Sequence, residues 1–301
     1  EGASKLIGRQ LEALFDPAVG VIDPDAGPID IPLHDLAGAI LELPVHRMLG
    51  SQGEATVPCY DGSIYMDDLD DPRGVEAVLD SCRQGYEMGY RAFKLKIGRG
   101  YRWMERREGL RRDIEVTRRV REEFPDCLIL VDANDGYTPE LFIDYLREVI
   151  DCGLYWVEEP FREEREGLRR VREFLRENSP ETLIADGESR PDLDELLKLA
   201  EEGLLDVLLM DIMGFGFTGW RKLMPRLVEL GVRASPHAWG NPLKTLYIAQ
   251  LAAGTGNIPI VEGVPGRSDQ ADWSSYELAD GRLILPSDPG FGVKLISPQA
   301  V

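Results

Sequence analysis

The sequence predicts an α/β fold in which parallel strands and helices alternate and close into a barrel with an outer ring of helices. Eight short aliphatic or β-branched runs alternate with charged segments of helical length. Successive runs end roughly 23 to 36 residues apart, near the size of a repeated βα unit, with ends near 96, 132, 158, 188, 211, 237 and 262. An open doubly wound sheet usually has a glycine-rich phosphate loop after an early strand. No such loop follows an early run in this sequence. A closed barrel is therefore favoured.

Roughly the first 50 residues differ from the rest and predict a helical piece ahead of the barrel. The segments ASKLIGRQLEALF and IPLHDLAGAILELPVHRMLG have helical character, and a stretch rich in proline and aspartate separates them.

The barrel elements follow in order. The eight predicted strands are TVPCYDG, AFKLKIG, CLILVDAN, LYWVEEP, TLIADGES, VLLMDIM, VRASPHAW and IPIVEGV. Between them lie segments such as RPDLDELLKLAEEGL, whose apolar residues recur at three and four positions, as on one helix face. Residues 101–123 carry dense charge of both signs and predict a solvated helix, whereas GFGFTG at 214–219 predicts a loop.

Composition narrows the classes of function. The chain has 301 residues, 43% of them apolar, which is enough for a sizeable core. Its formal charge of -20 opposes the phosphate contacts that dominate nucleic-acid affinity. No apolar run reaches the roughly 18 residues of a membrane span, and no basic-then-apolar leader is seen. Four cysteines without C-x-x-C spacing, at 59, 82, 127 and 152, predict reduced thiols and a cytoplasmic location.

Polar residues stand at the ends of seven consecutive predicted strands, where a βα barrel carries its chemistry. The second strand ends in Lys94 and Lys96, which point to the same face because they are two residues apart. By themselves two such lysines usually mark a solvated face. The later strands end in Asp132, Glu158, Glu188, Asp211, His237 and Glu262. These residues place the lysines in a shared charged cavity.

Three of these side chains, Asp132, Glu158 and Glu188, are carboxylates on adjacent strands. Like charges brought together raise one another's pKa unless a cation lies among them. Ligands that are all oxygen suit magnesium better than zinc, with manganese as an alternative. The pattern therefore predicts a divalent metal site.

Candidate bases lie on either side of this site. A lysine acts as a base when its pKa is lowered, which a second ammonium and a divalent ion both favour. His237 follows Asp211 in strand order, and a carboxylate bonded to one ring nitrogen fixes the tautomer of the other. His34 and His46 lie in the helical piece and are interpreted as structural. A metal with flanking bases suits proton abstraction next to a carboxylate.

The ordered motifs FKLKIG, VDAN, WVEEP, IADGES, MDIM with TGW, SPHAW, VEGV and PGFGV resemble those of the enolase superfamily, mandelate racemase subgroup. The resemblance covers about residues 30 to 295. It implies a modified (β/α)7β TIM barrel with an N-terminal capping domain that is only partly present. The implied domains are residues 1–53 for the helical part of the cap, 54–285 for the barrel, and 286–301 for a C-terminal segment returning to the cap.

The resemblance also assigns roles. It implies Mg2+ held by Asp132, Glu158 and Glu188, with Asp186 as an alternative third ligand on the same strand face. Lys96 is implied to be the base on one side of the substrate, with Lys94 lowering its pKa and touching the substrate carboxylate. The other side has the His237–Asp211 dyad, and Glu262 hydrogen-bonds the developing enolate. Asn134 and Glu159 are implied to be polar residues just outside the ligands.

Within the family that the sequence resembles, Asp211 points to the mandelate racemase subgroup, because muconate cycloisomerases and dipeptide epimerases carry a lysine at this position. The leading hypothesis is therefore a magnesium-dependent dehydratase of a sugar acid such as an aldonate or aldarate, acting through an enediolate. A racemase or epimerase that uses two bases is the alternative, and a binding barrel without turnover is the third. The expected partner is a small-molecule carboxylate, and family members suggest a homo-oligomer by analogy.

Overall fold

The computed structural model describes residues 2–296, which form two compact units. We call residues 59–209 the central unit, and residues 2–58 together with 210–296 the terminal unit. The α-helices of the described chain are α1 Asp30–Ile40, α2 Val45–Met48, α3 Val75–Glu87, α4 Arg106–Glu123, α5 Pro139–Val149, α6 Arg165–Asn178, α7 Leu193–Glu201, α8 Phe217–Leu230 and α9 Pro242–Thr255.

The strands of the described chain are mostly short. They are β1 Phe15–Asp16, β2 Gly20–Val21, β3 Thr56–Asp61, β4 Ala92–Lys96, β5 Leu128–Asp132, β6 Leu154–Glu158, β7 Leu183–Asp186, β8 Val207–Leu208, β9 Arg233–Ala234, β10 Val261–Gly263, β11 Ala271–Asp272, β12 Glu277–Ala279, β13 Arg282–Ile284 and β14 Lys294–Leu295.

The central unit contains a parallel sheet in which β4 to β8 are neighbours in chain order. Its strands are buried on both faces, as parallel strands between helices usually are. On the helix side, the Phe93 ring lies 5.0 Å from that of Phe124 at the end of α4. Lys94 and Lys96 alternate with Phe93 and Leu95 and therefore point to the other side of the sheet. This alternation places the apolar side chains against the helices and the charged side chains on the opposite side of the sheet.

Strand register sets the order of the charged side chains. Lys96 lies opposite Asp132, and Asp132 lies opposite Glu158, on three adjacent strands. Because parallel strands are less than about 5 Å apart, their side chains at one level come within bonding distance. The end of the sheet that carries the strand C-termini therefore gathers these residues at one level.

Helices of the central unit begin at side chains that cap them. The residue before each of α4 to α7 accepts hydrogen bonds, through its side chain, from backbone N–H groups of the first turn. These residues are Glu105, Thr138, Glu164 and Asp192. Capping satisfies N–H groups that have no partner within the helix. The helix starts are thus fixed locally, and with them the loops that follow the strands.

Polar contacts connect helices of the terminal unit. The Asp30 carboxylate at the start of α1 accepts hydrogen bonds from the N and Oγ1 of Thr218 in α8, both at 2.7 Å. Gln250 Oε1 in α9 accepts from His46 N of α2 and lies 2.9 Å from its Nδ1. His34 is also buried, with Nδ1 2.9 Å from Asp30 O. His34 and His46 thus have structural partners, in line with their interpretation from the sequence.

The C-terminal part of the described chain returns to the helical leader within the terminal unit. Val45 N donates to Gly290 O at 2.9 Å, and Phe291 N donates to Asp35 Oδ1 at 2.8 Å. These contacts lie within the predicted C-terminal segment 286–301. Residues 297–301 of that segment, and Glu1 of the predicted first domain, lie outside the described residues. The predicted domain boundaries stay a prediction.

The eight predicted strands correspond to β3 to β10, and the predicted solvated helix corresponds to α4. Glu188, Asp211 and His237 lie two or three residues beyond their strands rather than in them. The difference arises because the loops after the strands, and not only the last strand residues, carry polar groups.

Two local predictions were correct only in part. The first predicted helix consists of the 3-10 turns Gly2–Leu6 and Leu11–Ala13, because Gly8 between them has φ +83° and breaks the helical path. The predicted loop 214–219 is a loop only as far as Gly216, whose φ is +88°, after which α8 begins at Phe217.

All four cysteines are buried and form no disulfide. Within residues 2–296, no helix combines the length and the apolar character that crossing a bilayer requires.

Candidate active site

Three carboxylates meet at the C-terminal ends of the strands of the central unit. Asp132, Glu158 and Glu188 each offer an oxygen atom within 4.8 Å of the others. Asp132 and Glu158 are buried and Glu188 is partly buried. Asp186 is not a member of this group, although it precedes Glu188 by two residues. Buried carboxylates this close together require positive charge between them.

The two lysines of β4 supply positive charge beside this cluster. Lys94 Nζ lies 2.9 Å from Glu158 Oε1 and 3.3 Å from Asp132 Oδ2. Lys96 Nζ bonds to Asp132 Oδ2 and to Asn134 Oδ1, the latter at 2.8 Å. Only 1% of Lys94 and 7% of Lys96 is exposed, so the pair does not form a solvated face.

Burial and these ion pairs shift the pKa values in opposite directions. Burial alone would raise the pKa of Asp132, but Lys96 and Lys94 hold it well below its usual range. Burial, followed by the charge of Asp132, raises the pKa of Glu158 well above its usual range. Burial and Lys94 act to lower the pKa of Lys96, yet Asp132 and the other carboxylates raise it overall. A lowered pKa at Lys96 therefore requires further positive charge among these carboxylates.

Strained backbone follows two of the strands. Asn134, Asp135 and Glu159 adopt positive φ angles of 42°, 60° and 39°, which side-chain-bearing residues rarely do. Such strain persists where surrounding contacts fix it, and it is common at functional sites. Here Asn134 N donates to Asp132 Oδ1 at 2.9 Å, and Ser189 N donates to Glu159 Oε1 at 2.6 Å. The strained loops thus fix the orientation of the carboxylate that ends β5.

Two acidic side chains beside the cluster retain their protons more readily than usual. Burial, followed by Asp132 and Glu188, raises the pKa of Glu159 to about 7. Burial, followed by Glu159, raises the pKa of Asp186 well above its usual range. Among the described residues, Asp186 Oδ2 has no hydrogen-bond partner. This environment favours a neutral acid at Asp186.

The sequence analysis did not single out two residues that orient the cluster. Trp156 Nε1 donates to Glu158 Oε2 at 3.0 Å, and Trp156 lies two residues before Glu158 on the same strand face. Arg99 is fully buried, donates to Lys96 O at 2.8 Å, and pairs with Asp68 and Asp113. The two-residue period of a strand could have predicted that Trp156 lies on the same face as Glu158. No local sequence pattern indicates the role of Arg99.

The terminal unit holds an imidazole bonded to a carboxylate. His237 Nδ1 lies 3.0 Å from Asp211 Oδ2, the dyad that the sequence predicts. Backbone N–H groups of Met213 and Gly214 donate to the other carboxylate oxygen of Asp211 at 2.8 and 2.9 Å. Burial would raise the pKa of Asp211, but hydrogen bonds from His237 and Lys244 hold it well below its usual range. Asp211 is therefore a carboxylate at neutral pH.

Glu262 is the third predicted site residue of the terminal unit. It is fully buried, and its Oε2 accepts hydrogen bonds from the backbone N–H groups of Ala238 and Trp239, the second at 3.0 Å. These two residues follow His237 directly. Glu262 therefore fixes the backbone that carries the imidazole.

Lys244 joins the dyad and was missed by the sequence analysis. Its Nζ lies 2.6 Å from Asp211 Oδ2. The signal was weak, because Lys244 lies in α9 rather than at a strand end. Asn241 and Pro242 mark the start of that helix, and this start is the only indication of where Lys244 lies.

Each unit thus has a distinct chemical capacity. In the central unit, oxygen ligands suited to a hard divalent ion lie beside buried ammonium groups. In the terminal unit, a carboxylate fixes one nitrogen of an imidazole, which leaves the other for proton exchange. Each group, taken by itself, is of a kind that takes part in proton abstraction next to a carboxylate.

A model of the protein family described as "Enolase C-terminal domain-like" matches residues 77–299. Among solved structures, galacturonate dehydratase from Geobacillus sp., complexed with D-galacturonate and 5-keto-4-deoxy-D-galacturonate, has 35% identity and a TM-score of 0.91. The match covers 97% of this chain and 79% of that one.

Two further proteins are similar. A mandelate racemase/muconate lactonizing protein from Geobacillus sp. Y412MC10, complexed with magnesium/tartrate, has 34% identity and a TM-score of 0.92, covering 98% of this chain and 78% of that one. The D-galactarolactone cycloisomerase of Agrobacterium fabrum is 27% identical over 286 residues, which span 89% of this chain and 70% of that protein.

Proposed function

The chain belongs to the enolase C-terminal domain-like family, and on this premise we propose that it is a magnesium-dependent dehydratase of a sugar acid. The predicted α/β fold class, a modified (β/α)7β barrel, is confirmed by the family match and by the solved relatives. The observation that carries the function is the buried cluster of Asp132, Glu158 and Glu188 beside two lysines. The enzyme class is a carbon–oxygen lyase.

The cofactor is magnesium, with manganese as the chemical alternative. The fit rests on three carboxylates whose oxygens lie within 4.8 Å of one another, without histidine or cysteine among them. A relative with 34% identity is complexed with magnesium and tartrate, a dicarboxylate. Bound magnesium would supply positive charge beside a substrate carboxylate, which lowers the energy of an enediolate. We assign Asp132, Glu158 and Glu188 as its ligands, in preference to Asp186.

We assign the proton abstraction to Lys96. Its ammonium group is nearly buried and is oriented by Asn134 Oδ1, so Nζ has a defined direction. Lys94 carries a second ammonium group beside the same carboxylates and is assigned to the substrate carboxylate. The role of Lys94 uses a charge that the protein has already desolvated, whereas Lys96 accepts a proton only as the neutral amine, which positive charge from bound magnesium would favour.

The terminal unit supplies the acid and a hydrogen-bonding group. We assign His237 to donate a proton from Nε2 to the departing hydroxyl group, while Asp211 holds Nδ1. Glu262, when protonated, would donate a hydrogen bond to the enediolate oxygen. Asn134 and Glu159 orient the loops around the metal ligands.

Dehydration is favoured over racemisation by the chemistry of a relative. The galacturonate dehydratase with 35% identity is complexed with D-galacturonate and its 5-keto-4-deoxy derivative. In that derivative the keto group is next to the carboxylate and the lost hydroxyl is on the following carbon. That pattern is the result of proton abstraction next to a carboxylate and loss of the β-hydroxyl. The proposed substrates are therefore aldonates, aldarates and related sugar acids.

The test is turnover by the metal-loaded protein. The purified protein with magnesium is incubated with a library of sugar acids, including D-galacturonate, and the keto-deoxy products are detected by semicarbazide absorbance and mass spectrometry. We expect one acid or a small group of acids to lose water, and the Lys96→Met variant to be inactive. No turnover across the library at full magnesium occupancy would contradict the proposal.

A racemase or epimerase is the second candidate, because a relative is a cycloisomerase and another is described as a mandelate racemase/muconate lactonizing protein. Lys96 and His237 would then act as two bases. In D2O this reaction exchanges the proton next to the carboxylate while the mass shows no loss of water. A barrel that binds without turnover would show neither exchange nor product.

We also propose the domain assignment and setting that the family implies. The helical part of the cap would comprise residues 1–53, the barrel 54–285 and the returning segment 286–301. A cytoplasmic location and a homo-oligomeric state complete this proposal. Limited proteolysis and sedimentation of the purified protein test the boundaries and the number of copies.

A further inference from the structure

Lys244 and His237 bond to the same oxygen atom. Lys244 Nζ lies 2.6 Å and His237 Nδ1 lies 3.0 Å from Asp211 Oδ2. The side chains of Lys244, Asp211 and His237 are 19%, 26% and 14% exposed, so water has limited access to these bonds. The dyad is therefore a triad with a cation at its far end.

The chain holds Lys244 in place at both ends. Its backbone is in the first turn of α9, where Asn241 caps the helix by accepting from Leu243 N at 3.0 Å. Its ammonium also contacts Trp239 O at 3.3 Å, in the loop that carries His237. A long lysine side chain loses rotamer freedom when it is held in this way, and the bonds at its end must offset that loss. The arrangement connects the helix, the carboxylate and the imidazole loop.

The remaining bonds of Asp211 show what the lysine adds. Oδ1 is occupied by the N–H groups of Met213 and Gly214, which set the position of the loop. The Oδ2 atom of Asp211 bonds to two side chains, those of His237 and Lys244. Without the ammonium, the charge of that oxygen is satisfied by the imidazole alone. The carboxylate would then rotate more freely, and the proton on Nδ1 would be attracted more strongly.

We infer that Lys244 is a positioning residue for the reaction, because its ammonium fixes the Asp211 carboxylate that holds Nδ1–H of His237. This role rests on the proposed function of His237. The proton of Nδ1 stays on the ring throughout, and Nε2 is the atom that gains and loses a proton. Lys244 acts through Asp211 and does not touch the reacting atoms.

The test compares three variants of the full chain in the presence of magnesium. Lys244→Met removes the ammonium and keeps most of the length, whereas Lys244→Arg keeps a cation. Lys222→Met is the control, since Lys222 is an exposed lysine of the same unit whose Nζ donates to Val21 O at 3.3 Å. Thermal melting confirms that each variant is folded before kinetic measurements.

The kinetic expectation separates positioning from binding. Lys244→Met lowers kcat about tenfold and leaves KM within about twofold, because the imidazole is displaced while substrate contacts stay. Lys244→Arg recovers kcat to within about threefold of the wild type, since a cation again bonds to Asp211. Lys222→Met has wild-type kinetics. A merely structural role would not give this split between kcat and KM.

Ring 15N NMR provides a readout that needs no substrate. The chain has three histidines, so histidine labelling gives three ring systems, and the signals absent from a His237→Gln variant belong to His237. Lys244→Met should shift the Nδ1 signal of His237 and leave those of His34 and His46 unchanged. Lys244→Arg should restore it.

Two outcomes would overturn the inference. One is an unchanged His237 ring signal in a folded Lys244→Met variant, and the other is unchanged kcat in an active enzyme. Failure of the proposed function looks different, because the wild type itself would then turn over no sugar acid while the NMR comparison still decides the role of Lys244.

Discussion

Lys96 lies opposite Asp132 in the register of two adjacent parallel strands, and its ammonium group bonds to the Asp132 carboxylate. Asp132 lies opposite Glu158 in turn. The proposed base and two proposed metal ligands are thus neighbours at one level of one sheet. A change of charge at any of them alters the electrostatics of the others, since all three are buried.

Asp132→Asn should remove most of the stabilisation of the protein by magnesium. The wild type should gain stability on magnesium addition, about 2.7 kcal/mol when the free metal is a hundred times Kd, and should lose activity in EDTA. The variant should gain little stability, because a neutral amide replaces the central charged oxygen. Thermal melting with and without magnesium measures this. Asp126→Asn, an exposed acid just before the same strand, is the control, and equal magnesium stabilisation of Asp132→Asn would contradict the assignment.

Lys96→Met should abolish proton abstraction while the protein still binds magnesium. We expect kcat to fall by about 10² to 10⁴, because the base is removed, and exchange of the substrate proton for deuterium to fall in parallel. Lys94→Met should mainly raise KM, because Lys94 is assigned to the substrate carboxylate. Deuterium incorporation measured by NMR separates the two variants. If Lys96→Met exchanged the proton at the wild-type rate, another residue would be the base.

The strands and the charged residues after them could be predicted because they follow a local rule. Apolar runs that end in polar residues fix both the element and the face, as at Lys96 and Asp132. Lys244 could not be predicted in this way. Its contact with Asp211 joins residues far apart in the chain and depends on where α9 starts. The first predicted helix of the leader differs for another reason, since Gly8, with a positive φ, interrupts a pattern that otherwise has helical character.

Gly98→Ala should destabilise the loop after the lysine strand. Gly98 has φ +88°, and a Cβ there would lie 2.8 Å from Ala133 O. Backbone strain of this kind is worth of order 1–3 kcal/mol, and the contact adds to it. Urea unfolding should show a loss in this range, whereas Gly153→Ala, which has positive φ but open space, should lose less. Equal losses at the two glycines would show that the contact with Ala133 is unimportant.

The pH dependence of stability should reveal the buried pair of Arg99 and Asp68. Asp68 is 4% exposed and accepts hydrogen bonds from Arg99 Nε and Nη2. Burial would raise the pKa of Asp68, but Arg99 and Arg112 together hold it below its usual range. A carboxyl group whose pKa is lower in the folded than in the unfolded state stabilises the protein above the unfolded value, near pH 4. That contribution is lost as the pH falls through the folded value.

Asp68→Asn isolates this contribution, because asparagine does not titrate. At pH 7 the variant should be less stable than the wild type by about 3 kcal/mol, the loss expected when a buried ion pair loses one partner. The difference should narrow as the pH falls below about 4, since Asp68 takes up a proton there in the unfolded chain, while the folded carboxylate stays charged until the pH reaches its lower pKa. Urea unfolding at a series of pH values measures it, with the exposed Asp70→Asn as control. A difference that stays constant from pH 7 to pH 3 would mean that packing, and not the charge of Asp68, holds Arg99 in place.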